Sequence, residues 1–233
     1  MTLSENFDSA TKFSLLNTKT NYSNEILEAV DRIWKSSVEK YEGRFFDGDI
    51  FSVESISSNI VSLSKSKYRL FLAQQENPDL YDELQIRLLA VSGILICNDG
   101  IVFGRRSPEV LQDSNAWELL PSGSVTAKEF VNEDILFNID YQIREELLEE
   151  SGIPKNFYKV ITPKMLVESE DSHVVDFVYE IQVNISKSQI IDFHKNATSE
   201  YTQLEVVDSK EIVNFIDQNN LVKTSRKIIE HYM

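Results

Sequence analysis

Glu146, Glu149 and Glu150 stand three and four residues apart, and Gly152 and Pro154 follow close behind them. That spacing puts the three carboxylates within roughly a 100° arc of one helical face. The glycine suits a left-handed residue closing a helix and the proline bars its continuation, so the pattern predicts a helix over about 134–151. Like charges at this spacing repel by a few tenths of a kcal/mol per pair, and a divalent cation offsets that directly. An acidic helix face is commonly no more than a solvated surface. Here Gly123 and Glu129 lie upstream of the helix and Gly152 closes it. Four carboxylates and two glycines around one short helix favour a site for a hard cation.

Around that helix the chain alternates between two kinds of patterning. Ser23 can cap a helix whose apolar positions Ile26, Val30, Ile33, Trp34 and Val38 recur at helical spacing. Residues 1–22 read as a loose arm or an irregular strand, and Gly43 to Gly48 as a turn into a strand near Ile50–Val53. Serines alternate with Val53, Ile56, Val61 and Leu63 through 52–66, which predicts a solvated β region. A short helix carrying Tyr68, Phe71 and Leu72 should end at Asn77-Pro78. Beyond residue 88 the texture becomes more apolar. Val91–Cys97 and Ile101–Phe103 predict a hairpin about Asn98-Asp99-Gly100, and Trp117–Leu120 a further strand. Val160–Val167 and Val174–Val183 read as strands, the second with Val175, Phe177, Tyr179, Ile181 and Val183 on one face. Ser186 with Gln189, and Asp208 with Glu211, suit capping boxes, and 221–232 reads as a helix. Because hairpins join the strands, an α/β/α sandwich with a mixed sheet fits better than a doubly wound parallel sheet. The change of texture divides the chain into a small α+β extension, 1–87, and a main domain, 88–233.

Charge and composition narrow the partners. A formal net charge of −15 opposes binding to nucleic acid, so an anionic substrate needs arginines or a metal locally. Cys97 is the only cysteine, set in an apolar strand, and reads as a buried thiol. No apolar run reaches the roughly 18–20 residues of a membrane span, and Met1–Asp8 has neither the basic nor the apolar region of a signal peptide. A soluble cytoplasmic protein is the expectation. His173, His194 and His231 have no metal-ligand spacing and read as structural or exposed.

The residues quoted above resemble the Nudix hydrolase box, Gly-x5-Glu-x7-Arg-Glu-U-x-Glu-Glu-x-Gly-U, where U is a bulky aliphatic residue. Gly123, Glu129, Glu146, Leu147, Glu149, Glu150, Gly152 and Ile153 fill eight of its nine specified positions. Trp117 to Gly123 looks like the strand leading into the box, and Phe103-Gly-Arg105-Arg106-Ser107 like the strand before that. Two departures stand out. Glu145 occupies the place of the box arginine, with Arg144 beside it, and 15 residues (130–144) replace the usual seven. Phe45-Phe46-Asp47-Gly48 and Lys67-Tyr68-Arg69-Leu70-Phe71-Leu72 are similar to stretches of the UDP-sugar diphosphatase-like subgroup.

What the resemblance implies is a Nudix-type sandwich with an N-terminal extension that recognises substrate. The implied reaction is Mg²⁺-dependent cleavage of the pyrophosphate of a UDP-sugar to UMP and sugar 1-phosphate, with Mn²⁺ able to substitute. ADP-ribose or another nucleotide is the alternative substrate, and a non-catalytic nucleotide-sugar-sensing module is the alternative class. Glu146, Glu149 and Glu150 are then metal ligands and catalytic residues. Arg105, Arg106 and Gly123 would contact substrate, strand alternation letting only one of the two arginines point inward. Glu129 and Glu200 are additional candidates, and Glu146, Glu168, Glu170, Asp171 and Glu200 are open choices for the base. Phe46 or Phe51 could stack on a nucleobase, while Trp34 and Trp117 read as core. Family members often dimerise, which makes a second copy a candidate partner.

Overall fold

Residues 88–97 and 174–183 carry almost unbroken runs of apolar side chains, the composition of strands buried on both faces. They pair in parallel at the centre of the sheet. The structure, a computed structural model, describes all residues except 1, 5, 6, 8, 9, 18–20, 42–44, 58, 111, 128–134 and 198. In chain order its elements are β1 (Thr2–Ser4), β2 (Lys12–Leu15), α1 (Asn24–Lys40), β3 (Asp49–Ser57), β4 (Ile60–Lys67), α2 (Tyr68–Glu76), α3 (Tyr81–Leu84), β5 (Leu88–Cys97) and β6 (Gly100–Arg106). There follow β7 (Trp117–Leu119), β8 (Ser122–Ser124), α4 (Ile135–Ser151), β9 (Tyr158–Ser169), β10 (Val174–Val183), α5 (Lys187–His194), β11 (Tyr201–Val207), α6 (Ile212–Gln218) and α7 (Lys223–Tyr232). Among the described residues these strands form one mixed sheet in the order β1-β9-β10-β5-β3-β4-β2, with β8 and β6 on β5, and β7 and β11 on β6.

Alternation along the central strands decides which helices cover which face. Leu89, Val91 and Leu95 of β5, with Val175, Phe177, Tyr179, Ile181 and Val183 of β10, pack with Ile139, Ile143 and Leu147 of α4 and Ile190 of α5. On the opposite face the cover is divided. Leu88 lies with Val30 of α1, with Leu70 and Phe71 of α2 and with Leu84 of α3. Ile94 and Val178 lie instead with Ile212, Ile216, Ile228 and Ile229 of α6 and α7. Between the two groups the same strand faces present Ala90, Ser92 and Asp176 to a cavity.

Several helix ends follow their local signals. Ser23 accepts a hydrogen bond from the Ile26 N–H, and the Ser186–Gln189 capping box forms. Gly152 takes φ +68° after α4, where a Cβ would also meet the Phe193 carbonyl oxygen at 2.6 Å. The Asp208–Glu211 capping box does not form. Asp208 instead accepts from the Lys210 N–H, and α6 begins after Glu211 without a side-chain cap. Cys97 is buried, as its setting suggests. No helix among the described residues is long and apolar enough to cross a membrane.

The first residues are woven into the sheet more fully than their polar sequence suggests. β1 pairs with β9 and β2 runs parallel to β4. Between them Phe7 is buried, its ring edge-on to Phe177 at 4.6 Å and to Tyr179 at 5.4 Å. Edge-to-face pairs of this kind add to ordinary apolar burial. Phe7→Ala should therefore cost about 3–5 kcal/mol. The check is a fall in the urea midpoint with an unchanged slope.

Candidate active site

The cavity of about 610 Å³ between the two helical covers collects side chains from both ends of the chain. Its floor is Leu88, Ala90 and Ser92 of β5 with Val174 and Asp176 of β10, and Tyr68, Phe71 and Gln75 of α2 form one wall. Glu146, Glu149 and Glu150 of α4, the β8 segment Ser122-Gly123-Ser124, Glu118 of β7 and Arg106 of β6 complete it, with Glu200 at the mouth. Among the described residues, seven carboxylates (Asp113, Glu118, Glu146, Glu149, Glu150, Asp176 and Glu200) thus share the walls with a single guanidinium, that of Arg106.

The helix acids take up different environments. Glu150 is 7% exposed and accepts from the Ser122 backbone N–H at 3.1 Å. Burial, with Glu118 and Glu146 nearby, holds its carboxyl well above the usual range. Glu146 accepts from the Gln142 amide one turn earlier, at 2.6 Å. Burial first, then repulsion by Glu149 and Glu200, push it up to about 7. Glu149 is exposed along the same face. Gly123 lets Glu146 lie against the β8 backbone, because a Cβ there would come within 2.2 Å of the Glu146 Oε1. That is a close-approach role for glycine and does not depend on a left-handed φ.

Of the adjacent arginines, Arg106 turns into the cavity and Arg105 is exposed. Arg106 is held from several sides. Its Nη1 donates to Glu118 Oε2 at 2.5 Å, its Nε to the Gln112 carbonyl at 3.1 Å, and its Nη2 lies 3.7 Å from Glu200. Glu118, 7% exposed, also accepts from the Tyr201 hydroxyl at 3.1 Å. Burial nevertheless raises the Glu118 carboxyl above its ordinary value. Glu200, with a side chain 65% exposed, stands at the rim, its carbonyl accepting from the Ser107 N–H.

Other residues singled out from the sequence fall elsewhere. Glu145, in the place of the box arginine, pairs with Lys155 at 2.7 Å, away from the cavity. Glu168 is locked to Arg87 through two bonds of 2.6 and 2.7 Å, and Asp171 pairs with Lys223 at the surface. Glu170 is exposed on the β9–β10 turn. Phe51 is fully buried in the core, so it cannot stack on a ligand, whereas Phe46 is 80% exposed. Trp117 packs at the edge of the core cluster, and Trp34 lies 6.3 Å from Phe45. His173 stacks flat on Tyr81 at 3.6 Å, and His194 meets the Glu150 carbonyl. Glu129 lies outside the described residues. Glu118, Asp176, Ser92 and Tyr201 belong to the site without having been singled out. A lone carboxyl inside the otherwise apolar Val174–Val178 run was the signal for Asp176.

Among the described residues no three His, Cys, Asp or Glu side chains converge as a ready-made metal cage. The donor set still suits a hard cation, because it is all carboxylate oxygen. Burial first, and then repulsion by neighbouring acids, raises Glu146 and Glu150, and a bound cation would relieve the repulsive part.

No protein-family model matches this chain, and no curated protein does. Solved structures do resemble it. One is a MutT protein from Methanosarcina mazei Go1, at 18% identity over 62% of this chain and 91% of that one, with a TM-score of 0.43. Another is a bifunctional NMN adenylyltransferase/ADP ribose pyrophosphatase from Francisella tularensis, complexed with AMP and a Mn ion. It is 16% identical over 70% of this chain and 48% of its own, with a TM-score of 0.43. A third, a Nudix hydrolase from Nitrosomonas europaea, is 15% identical over 62% and 87%, with a TM-score of 0.40.

Glu146 loses its proton at about 7 in the fold against an ordinary 4.5. Between those values the folded chain holds a proton that the unfolded chain has released, so stability rises as pH falls through the window. In metal-free buffer, melting temperatures from pH 8 to 4.5 should show this rise, and Glu146→Gln should make it shallower, the remainder belonging to Glu150, Glu118 and Asp176, which are raised as well. An unchanged slope in the variant would place the proton on another group.

Proposed function

We propose that this chain is a Nudix-type hydrolase that splits the pyrophosphate of a nucleoside diphosphate joined to a second group, a UDP-sugar fitting best. The observation that carries the reading is the convergence of Glu146, Glu149, Glu150, Gly123 and Arg106 on one cavity. Those residues fill box positions and the strand before the box. Support for the extension's part in recognition comes from its two motif segments, which meet each other. The Tyr68 N–H donates to the Gly48 carbonyl and the Arg69 N–H to Asp47, and this sets Tyr68 and Phe71 on the cavity wall.

Such a cleavage needs positioning and charge neutralisation more than covalent help. Arg106, held by Glu118 and Gln112, offers a fixed guanidinium to a phosphate oxygen. Gly123 leaves room for Glu146 to lie against β8, which holds that carboxyl at the cavity wall where substrate would sit. Glu146, Glu149 and Glu150 would hold Mg²⁺, or Mn²⁺ in its place, and a bound divalent ion screens phosphate oxygens and acidifies water. Glu146, on the cavity wall beside Gly123, is the first candidate to take a proton from an attacking water. Glu200 at the rim is the second candidate.

A non-catalytic nucleotide-binding module is favoured by one observation, the absence of a preassembled cage among the described residues. Activity separates the two readings. Pure protein with UDP-glucose and Mg²⁺ should release UMP and glucose 1-phosphate. Glu149→Gln and Glu150→Gln should each cut kcat by about 100-fold or more while far-UV circular dichroism stays unchanged. If UDP-glucose is inert and ADP-ribose turns over, the substrate changes and the chemistry stands. Inertness toward every nucleotide in a panel would leave the binding module.

A further inference from the structure

The reaction just described uses the α4 end of the cavity and leaves its floor unassigned. There β5 and β10 run in parallel register, with Asp176 level with Ala90. Ser92 Oγ donates to Asp176 Oδ1 at 2.8 Å. Asp176 is 5% exposed and Ser92 6%, and both line the cavity. A carboxylate can accept about four hydrogen bonds, yet among the described residues Ser92 is the hydrogen-bond partner shown for Asp176. Among the described residues no lysine or arginine pairs with it, and the charge that acts on it is that of Glu118, of like sign.

Burying a carboxyl on such terms is costly. The same position in a strand of Val174, Val175, Phe177 and Val178 would be more stable with an apolar side chain. A buried carboxyl with one side-chain donor, open to a cavity, can accept a further hydrogen bond there from whatever enters, ligand or water. The neighbouring walls describe that ligand further. Tyr68 and Phe71 contribute aromatic side chains to the wall, and Leu88, Ala90 and Val174 contribute apolar ones to the floor that holds Ser92 and Asp176. Apolar and aromatic side chains lining the same cavity as a carboxylate acceptor suit a flat ring bearing an N–H.

We propose that Asp176, with Ser92 orienting it, forms the recognition subsite for the nucleobase, accepting a hydrogen bond from a ring or exocyclic N–H. The choice of a nucleobase rests on the function proposed above, whereas the acceptor and its surroundings stand on the geometry alone. Asp176 is thereby a specificity residue, and Ser92 acts through it as a positioning residue. A rival role is open to the same carboxyl, that of an added metal ligand, because it shares the cavity with the α4 acids and Glu118 acts on both it and Glu150.

The test uses uncharged nucleosides, which the acidic walls do not repel, and needs neither metal nor turnover. Uridine, cytidine, adenosine and guanosine are titrated against the full chain in chelator by ligand-observed NMR, with ribose as control. At least one nucleoside should bind tenfold or more above ribose. Asp176→Leu and Ser92→Ala should remove that preference, and Asp176→Asn should weaken it or change which base is favoured. The melting temperature of Asp176→Leu should rise, since a buried charge is lost, and Mn²⁺ binding followed by electron paramagnetic resonance should be unchanged. No nucleoside bound above ribose, or a preference that survives in Asp176→Leu and Ser92→Ala, overturns the proposal. A lowered melting temperature in both Asp176→Leu and Asp176→Asn would make the residue structural, and lost Mn²⁺ binding would make it a metal ligand. Either result also overturns it. Because nothing is hydrolysed in these titrations, their outcome is separate from that of the UDP-glucose assay.

Discussion

The parallel pairing of β5 with β10 is the constraint from which the rest of the molecule follows. Nine residues of each strand are in register, and both strands lie inside the sheet, so each face must be covered. One face receives α4 and α5 over a continuous apolar surface. The other receives two separate covers, α1–α3 and α6–α7. A sheet face covered in two pieces leaves a seam, and a ligand can enter only where such a seam stays open. The residues at this seam are small or polar, Ala90, Ser92 and Asp176, in strands that are otherwise Val, Ile, Leu and Phe.

The seam is also where charge accumulates. Among the described residues seven carboxylates face one guanidinium across it, and Glu146, Glu150, Glu118 and Asp176 all have raised proton affinities, burial being the first cause in each. An ion-pair network built for stability would match its charges, whereas this group is left short of positive charge. Arg106 is largely occupied by Glu118 and Gln112, so it fixes geometry on one side without neutralising the far acids. Such a deficit opposes folding and is relieved by a cation or by protons, the usual direction of a stability–function compromise.

What was legible in the sequence depended on whether a residue's role was local. Gly152 and Pro154 marked the end of α4, Ser186 with Gln189 marked the start of α5, and the alternation from Val175 to Val183 marked one face of β10, because each acts within a turn or a strand. The acids of α4 were legible for the same reason, being three and four residues apart. Phe7 was not, because its partners Phe177 and Tyr179 lie some 170 residues away and its neighbours show no periodicity. Glu118 stands as a polar residue in the short Trp117–Leu120 strand and Asp176 as a lone carboxyl in an apolar run, and only the second helical cover shows that these side chains face a cavity. Asp208 and Glu211 had the right spacing for a capping box, but an Asx-type turn at Lys210 took the acceptor first.

The core also fixes where the acids of α4 lie. Ile139, Ile143 and Leu147 recur every four residues and are fully buried against the sheet, and this stripe fixes the helix in rotation and along its axis. Glu146 and Glu150 flank that stripe, so their backbone positions are set by apolar packing and not by whatever occupies the cavity. The Ser122 N–H bond to Glu150 and the close approach of Glu146 to Gly123 add two further fixed points. Repulsion among the carboxylates can then be answered only by side-chain rotation or by uptake of positive charge. It cannot be answered by moving the helix, because that would expose the stripe. A site organised in this way keeps its backbone geometry whatever enters it, which suits the diphosphate positioning proposed above.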